Sequence, residues 1–364
     1  MCLAILILIF LVLLFSYRLY ISPKISQNIN PIWNRSTPAR RQMDGVDFFP
    51  TRANVLAGFQ LRSISLDVII SPIIAVQFGW LPAVLWLLIG AIFFGWIQDY
   101  LSTIISVRAS GKSFPQLFEA YFNSRSRTLI YIFLITYLLI IISQFSILLS
   151  SLLSRDDTPF AIVLFVLVSI FAGFLIYRTR VNLVITSILS VAIAVIGFWA
   201  GSSAQFLGSL SQINKYFVDL GTVGSSGSFF GGLSWQLLIA LSAVFFICYL
   251  GSILPSWRFS VPFNYVSNWM VILGFSLALI GLSLGTLKGE ISASFEIPPI
   301  VTINQQEIGP LWPILFVTLS SGAVSGWHAL VSSYSTSHQV EKEPLIKPIT
   351  TIATYGETII VSII

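Results

Sequence analysis

Side chains that can gain or lose a proton lie within long apolar stretches of this sequence. The candidates are Asp67, Asp99, His328 and Glu357. An ionisable group at membrane depth is costly unless it is paired, reaches water or takes part in transport. An imidazole changes its charge near physiological pH, which suits His328 to the relay of protons. The alternative interpretation is structural, because polar side chains commonly hold membrane helices together.

The stretch from Pro310 to Gln339 contains most of the other polar candidates. It begins as an ordinary apolar span and then becomes rich in small and hydroxyl-bearing residues. Gly322 and Gly326 form a small-xxx-small pair, which predicts the close approach of a neighbouring backbone. Hydroxyls along a tightly packed helix indicate the wall of a solute pathway, and a serine-rich packing face is the alternative. The candidates in this stretch are Ser325, Gly326, His328, Ser332, Ser333, Thr336 and Ser337.

The predicted span at 55–78 is irregular. Pro72 removes a backbone donor, so we expect a kink or a break around Ser65–Pro72, beside the polar stretch described above. Discontinuous helices near the bilayer midplane bind substrate in many transporters. Arg62 and Asp67 are five residues apart and therefore poorly placed to pair along a regular helix. We expect Arg62 to reach the membrane surface and Asp67 to serve a pathway or a structural ion pair.

Composition indicates a polytopic membrane protein. The 364 residues are 56% hydrophobic and 9% charged, with a mean hydropathy of +0.89, whereas soluble domains carry about 25% charged residues. We predict an all-α membrane helical bundle that forms a single transmembrane domain over residues 1–364, with about ten helices. The predicted spans lie near 2–17, 55–78, 83–107, 129–153, 160–177, 183–200, 235–254, 266–287, 311–332 and 349–364.

The basic residues indicate membrane topology rather than binding to nucleic acid. The net charge is +5, and the basic residues fall mostly in short loops between spans. If the N-terminus is outside, only Arg155, Lys215 and Lys288 fall in external loops, while Arg62 lies within a span. This asymmetry obeys the positive-inside rule and predicts a multi-pass protein with an external N-terminus.

Motifs of enzymes and of bound metals are absent from the sequence. The only histidines are His328 and His338, and no P-loop, nucleophile elbow or HExxH motif occurs. Cys2 and Cys248 lie far apart in apolar surroundings, which suggests neither a disulfide framework nor a metal site. We therefore predict no enzyme and no cofactor. Coupling of transport to an ion gradient stays open, and protons would need titratable groups inside the membrane.

Three stretches resemble one family of bacterial inner-membrane transporters. The first is SGWHALVSS at 325–333, which resembles the family's S-G-F-H-A-L-V-S-S. The second runs from AVQFGWLP to VRASGKS at 75–113 and is similar to A-A-Q-F-G-Y-L-P…W-L-L-x-G…Q-D-F…T-R-x-x-G-K-S. The third, at 37–51, resembles T-P-A…D-G-x-D-Y-x-P-T. On these motifs the chain is identified as a member of the carbon starvation protein A (CstA) family.

The resemblance implies a secondary transporter with the inverted-repeat fold of the amino acid–polyamine–organocation (LeuT-like) type. It implies proton-coupled uptake of pyruvate or short peptides during carbon starvation, in the bacterial plasma membrane. The implied partners are protons, a small-molecule substrate and membrane lipid, with an oligomer or a larger membrane complex as a further expectation. Carried over residue by residue, it marks Gln98, Asp99, Ser325, Gly326, His328, Ser332, Ser333, Thr336, Ser337 and Glu357.

The sequence also departs from the family's pattern. Residues Ala57–Leu61 stand where the family has F-G-H-H-F, and Val261–Tyr265 stand where it has Q-P-R-D-Y. Thr358 replaces the glycine of the family's L-x-E-G element, whose acid corresponds to Glu357. Family members continue beyond the position of Ile364, so the second repeat is expected to be incomplete. The alternative function is therefore a truncated or diverged non-transporting membrane protein, or a structural subunit of a larger membrane complex.

Overall fold

A computed structural model describes residues 2–62, 67–153, 159–179, 181–202, 234–289, 297–305 and 308–363, which are mostly helical. The first α-helices are α1 (Cys2–Phe15), α2 (Ser22–Asn28), α3 (Pro38–Gln42), α4 (Ala53–Arg62), α5 (Asp67–Ala75), α6 (Trp80–Ile89), α7 (Trp96–Arg108) and α8 (Phe114–Tyr121). They are followed by α9 (Ser124–Leu153), α10 (Pro159–Arg178), α11 (Leu183–Gly201), α12 (Trp235–Ile253), α13 (Ser260–Leu287), α14 (Leu311–Ala323), α15 (Trp327–Val331) and α16 (Ile346–Ile363).

Shorter elements connect or extend these helices. The π-helical segments are Ser16–Ile21, Gly90–Gly95 and Ser332–Thr336, and the 3₁₀ turns are Val76–Phe78 and Glu343–Leu345. The strands β1 (Asn304–Gln305) and β2 (Gly309–Pro310) pair in antiparallel orientation. The first two π segments join neighbouring α-helices without a turn, so each forms part of one long helical rod.

Eight helical segments in the described part of the chain are long and apolar enough to cross a membrane. They are Ile5–Ile25, Trp80–Arg108, Ser124–Leu153, Ala161–Arg178, Leu183–Gly201, Trp235–Ile253, Ser260–Leu287 and Leu311–Thr336. This pattern fits the predicted polytopic helical membrane protein. The predicted spans at 55–78 and 349–364 fall on α4 with α5 and on α16, which are not among the eight, and they stay predictions.

The chain divides into two compact units. Unit 1 comprises Met1–Leu117 together with Ser267–Ile364, and unit 2 comprises Phe118–Val266. The prediction of a single transmembrane domain over residues 1–364 stays a prediction.

Unit 2 is built from apolar helices that pack through small residues. The helices α10 and α11 pack along each other, and so do α9 and α12. A Cβ added to Gly197 on α11 would lie 2.5 Å from Cδ2 of Leu164 on α10. The absence of a side chain at Gly197 therefore permits the close packing of these two helices. The hydroxyls of Ser187 and Tyr265 are hydrogen-bonded at 2.7 Å.

In unit 1, α16 forms the centre of the packing. It packs along α4 and α7, while α5 packs along α14. Its buried positions recur every three or four residues, as expected of a helix with one face in a core. A Cβ added to Gly356 would lie 2.2 Å from Leu61 Cδ1, so glycine permits the close contact with α4. The core residues include Leu61, Val68, Ala75, Phe78, Leu87, Leu315, Leu319, Ala353, Ile360 and Val361.

The polar stretch that sequence analysis treated as one helix is interrupted. The helix α14 ends at Ala323, Val324 has non-helical dihedral angles, and α15 begins at Trp327. The close backbone approach predicted for Gly326 does not occur, because a Cβ added there would meet nothing within 4 Å. The glycine lies in the break with φ −61° and ψ −18°, dihedral angles that any residue can adopt, so neither packing nor backbone conformation explains its presence.

The irregular span at 55–78 is represented by α4, α5 and a 3₁₀ turn. Pro72 lies inside α5, so it does not end that helix. The segment 63–66, where the predicted break begins, lies outside the described residues, as do the side chains of Arg62 and Asp67. Because α5 packs along α14, the expected proximity of this span to the polar stretch is observed.

A buried carboxylate just before α16 joins the loop between α2 and α3 to the end of α7. The side chain of Glu343 is fully buried, and its Oε1 accepts from Arg35 Nη1 at 3.1 Å and from Arg108 Nε at 2.5 Å. The backbone N–H of Ile32 donates to the other carboxylate oxygen at 3.2 Å. Two cations and a backbone donor thus compensate the charge that burial would otherwise make costly.

The second histidine of the chain, His338, is also buried among the loops of unit 1. Its Nε2 lies 2.7 Å from the carbonyl oxygen of Gly111, and its ring packs on Phe48 with 4.2 Å between ring centroids. Burial lowers the pKa of His338 below its ordinary value, although the Gly111 contact and the nearby Asp44 and Asp47 oppose the shift.

This environment predicts that acid weakens the fold. The unfolded chain protonates His338 at a higher pH than the folded chain does, so the free energy of unfolding falls as the pH drops below about 6.5. The measurement is the thermal unfolding temperature in detergent between about pH 8 and pH 5.5. The variant His338→Gln, which cannot titrate there, should lose less stability over this range. An equal loss in both proteins would contradict the prediction.

Candidate functional site

A buried histidine lies between two buried carboxylates in unit 1. His328 Nδ1 is 3.3 Å from Asp99 Oδ2, and His328 Nε2 is 3.2 Å from Glu357 Oε2. The His328 side chain is 2% exposed, and both acid side chains are fully buried. We call Asp99, His328 and Glu357 the buried triad. Each ring nitrogen faces a different acid, so the imidazole bridges the two carboxylates.

Three separate helices bring these side chains together. Asp99 is on α7, His328 on α15 and Glu357 on α16. Close approach of α16 to the π segment before α7 depends on Gly95, where an added Cβ would lie 3.2 Å from Thr354 Cγ2. A hydrogen bond of 2.8 Å from Trp96 Nε1 to Thr351 Oγ1 also joins α7 to α16.

The two acids of the triad have different surroundings. The hydroxyl of Thr354 donates to Asp99 Oδ2 at 2.8 Å. In the described part of the chain, Asp99 Oδ1 and both oxygens of Glu357 accept no hydrogen bond. The nitrogens of His328 are within ion-pair distance of the acids but are not aligned for hydrogen bonds. Asp99 therefore has a fixed hydroxyl donor, whereas Glu357 has only the imidazole beside it.

The helix break lies next to the triad in the sequence and is held by α7. Gln98 Nε2 donates to the carbonyl oxygen of Ser325 at 2.9 Å. The hydroxyl oxygen of Ser325 accepts from the backbone N–H of Trp327 at 3.2 Å. The same carbonyl oxygen accepts from the backbone N–H of His328 at 3.1 Å, so the Gln98 amide is a second donor that joins the break to α7. The predicted candidates Gln98, Ser325 and Gly326 thus occur together at the break.

The hydroxyl groups after α15 take part in contacts between helices. Gln60 on α4 donates from Nε2 to Ser332 Oγ at 2.8 Å, and its Oε1 accepts from Thr336 Oγ1 at 3.2 Å. The Ser106 hydroxyl lies 2.7 Å from the Ser333 carbonyl oxygen and 2.9 Å from Ser337 Oγ. All of these residues are buried. Their contacts fit the packing role that sequence analysis weighed against a pathway role.

Geometry adds residues that the sequence analysis did not propose for the site. They are Thr354, Gln60 and Ser106. Thr354 precedes Glu357 by three residues on one helix, a spacing that places both side chains on one face. That spacing could have identified Thr354 from the sequence. The partners of Gln60 and Ser106 lie on other helices, so only the tertiary fold reveals them. The side chain of the candidate Asp67 lies outside the described residues.

The triad has the chemistry to bind and release a proton. With a charged imidazole and two ionised acids, its net charge is negative by one unit. An uncompensated buried charge is costly, and one additional proton removes it. Because the imidazole contacts both acids, proton binding at one acid changes the electrostatic energy of the other.

Comparisons with known proteins agree with the resemblance found in the sequence. A family model described as "Carbon starvation protein CstA" matches residues 1–364. "Peptide transporter CstA" of Campylobacter jejuni is 27% identical over 85% of this chain and 42% of its own length. "Pyruvate/proton symporter BtsT" of Escherichia coli K12 is 27% identical, over 90% of this chain and 43% of its own length. "Peptide transporter CstA" of Bacillus subtilis is 26% identical, over 93% of this chain and 53% of its own length.

The chain spans about half the length of the curated relatives it matches, between 42% and 53% for these three. Their names describe transporters rather than enzymes, in line with the prediction from motifs. No solved structure matches the chain.

Proposed function

This chain belongs to the carbon starvation protein CstA family, and from that premise we propose that it acts in proton-coupled secondary transport. The observation that carries the proposal is the buried triad. Ionisable groups buried among membrane helices commonly mark ion or proton pathways. An imidazole in contact with two acids provides a place where a proton can be held and passed on.

The proposed substrates are pyruvate or short peptides, with protons as the coupling ion. One relative is named a pyruvate/proton symporter and others are named peptide transporters. We propose that the chain is a multi-pass protein of the bacterial inner membrane, on the strength of its bacterial transporter relatives. The distribution of basic residues supports an N-terminus outside. Lipid and an oligomer or larger membrane complex are the proposed partners.

We further propose the LeuT-like inverted-repeat fold and a substrate pathway beside the helix break. Transporters of this type bind substrate where helices are discontinuous. The interruption between α14 and α15 supports this placement, because Gln98 and Ser325 meet there. In this proposal Gly326, Ser332, Ser333, Thr336 and Ser337 line or support the pathway, and Asp67 belongs to the span beside it.

A second candidate function is a structural role in a larger membrane complex, without transport. It is favoured by the contacts of Gln60 with Ser332 and Thr336, which use these polar groups to join helices. Such internal pairing is typical of helix packing in membranes.

The test uses the longest natural form of the protein in lipid vesicles with an imposed proton gradient. We expect labelled pyruvate or a labelled dipeptide to accumulate with the gradient and to leak out when a protonophore removes it. Empty vesicles and vesicles without a gradient serve as controls. Accumulation that ignores the gradient would exclude proton coupling, and no accumulation of either substrate would favour the structural role.

A further inference from the structure

The environments of the two triad acids differ in a way that assigns them different tasks. Thr354 donates its hydroxyl to the Asp99 oxygen that faces His328. Glu357, one turn further along the same helix, has no hydroxyl donor in the described part of the chain, and His328 Nε2 lies 3.2 Å from its Oε2. The two acids therefore share one imidazole but not one set of donors.

The hydroxyl donor at Asp99 affects which of the two acids is more easily ionised. A hydrogen bond from a hydroxyl stabilises an ionised carboxylate more than a neutral one. A buried carboxylate without such a donor is most easily accommodated as the neutral acid. The charge of a protonated His328 can be balanced by one acid, so the second acid is the group whose charge is not compensated.

We propose that Glu357 carries the exchangeable proton, while Thr354 keeps Asp99 ionised as the fixed counter-charge of a protonated His328. This inference rests on the proposed proton-coupled function and deepens it. A proton from one side of the membrane binds a Glu357 carboxylate oxygen and later leaves to the other side. The net charge of the triad changes from minus one to zero and back, so one proton moves per cycle. Thr354 is a positioning residue, because it acts through Asp99.

The charged groups around Glu357 support this assignment. Among the described side chains, those that face it are His328 from α15 and Asp99 from α7. The helix α4 also packs along α16, and its Gln60 side chain is hydrogen-bonded to the hydroxyls of Ser332 and Thr336. The side chains of Arg62 and Asp67, near the ends of α4 and α5, are not among the described ones.

The first test is infrared spectroscopy of the purified protein, which detects the C=O stretch of a protonated buried carboxyl group. We expect a band that disappears as the pH is raised from about 5 to 9. Glu357→Gln should remove it, and Thr358→Val, whose hydroxyl donates to the Thr354 carbonyl oxygen and not to the triad, should leave it present. A band that persists in Glu357→Gln would overturn the assignment. The spectra do not depend on transport, so they decide the assignment even if wild-type vesicles fail to accumulate substrate.

The second test is the pH profile of gradient-driven uptake in the threonine variants. Thr354→Val removes one hydrogen bond to a charged group, so the pH of half-maximal uptake should rise by about one unit. Thr358→Val is the matched control, because its hydroxyl donates to the Thr354 carbonyl oxygen at 2.8 Å and not to Asp99. Equal shifts in both variants, or no shift in Thr354→Val, would exclude the positioning role of Thr354.

Discussion

Replacing His328 by glutamine should reduce proton-driven uptake of pyruvate or peptide at least ~10-fold, which corresponds to about 1.4 kcal/mol in a rate-limiting step. Glutamine preserves polarity and approximate length but cannot carry a positive charge between Asp99 and Glu357. The two buried acids would then lie close together without a cation and would share a proton. The remaining uptake should also lose its dependence on pH. Initial rates in vesicles, measured across a range of pH, check both expectations.

The control for this substitution is His338→Gln, which changes the other histidine of the chain in the same way. His338 contacts Gly111 and Phe48 rather than the acids of the triad. Its variant should retain uptake and its pH dependence once rates are normalised to the amount of folded protein. Intact uptake with intact pH dependence in His328→Gln would eliminate the proposed relay.

Among glycine-to-alanine substitutions at the described glycines of unit 1, Gly79→Ala should lower the free energy of unfolding the most. Gly79 has φ +108°, a backbone conformation that residues with a side chain rarely adopt. A Cβ added there would lie 2.5 Å from the Pro299 carbonyl oxygen and 2.7 Å from Ile300 Cα. These neighbours are backbone atoms that cannot rotate away. Backbone strain and overpacking together should lower the free energy of unfolding by about 2–5 kcal/mol.

Thermal unfolding in detergent measures this loss, and Gly45→Ala separates its two causes. Gly45 also has a positive φ, +73°, but an added Cβ there would meet nothing within 4 Å. We therefore expect Gly45→Ala to cost only the strain, about 1–2 kcal/mol. If both variants unfolded at the same temperature, close backbone packing at Gly79 would not contribute to stability.

The members of the triad were predictable from the sequence, but their contact was not. Asp99, His328 and Glu357 are ionisable residues in apolar stretches, which is enough to mark each as functional or paired. Their meeting depends on packing between helices that are far apart in the chain. Spacing along a single helix can only indicate partners three or four residues away, such as Thr354 and Glu357.

The helix break shows where the same reasoning failed. Gly322 and Gly326 were interpreted as a packing motif, in a stretch treated as one tightly packed helix. The chain instead leaves the helix at Val324 and resumes it at Trp327. The side chain that donates to the backbone of this break, Gln98, is on another helix. Sequence alone does not specify such a tertiary hydrogen bond, so the break could not be separated from a small-residue packing face.

The most direct test of the central claim is proton exchange on substrate binding. The longest natural form of the protein is placed in weakly buffered detergent solution with a pH indicator, and pyruvate or a dipeptide is added. We predict a change of about one proton per protein, because one acid of the triad exchanges a proton during coupled transport. The combined variant Asp99→Asn, His328→Gln and Glu357→Gln should give no signal while remaining folded. An equal signal in wild type and combined variant would contradict the claim that the buried triad couples protons to substrate.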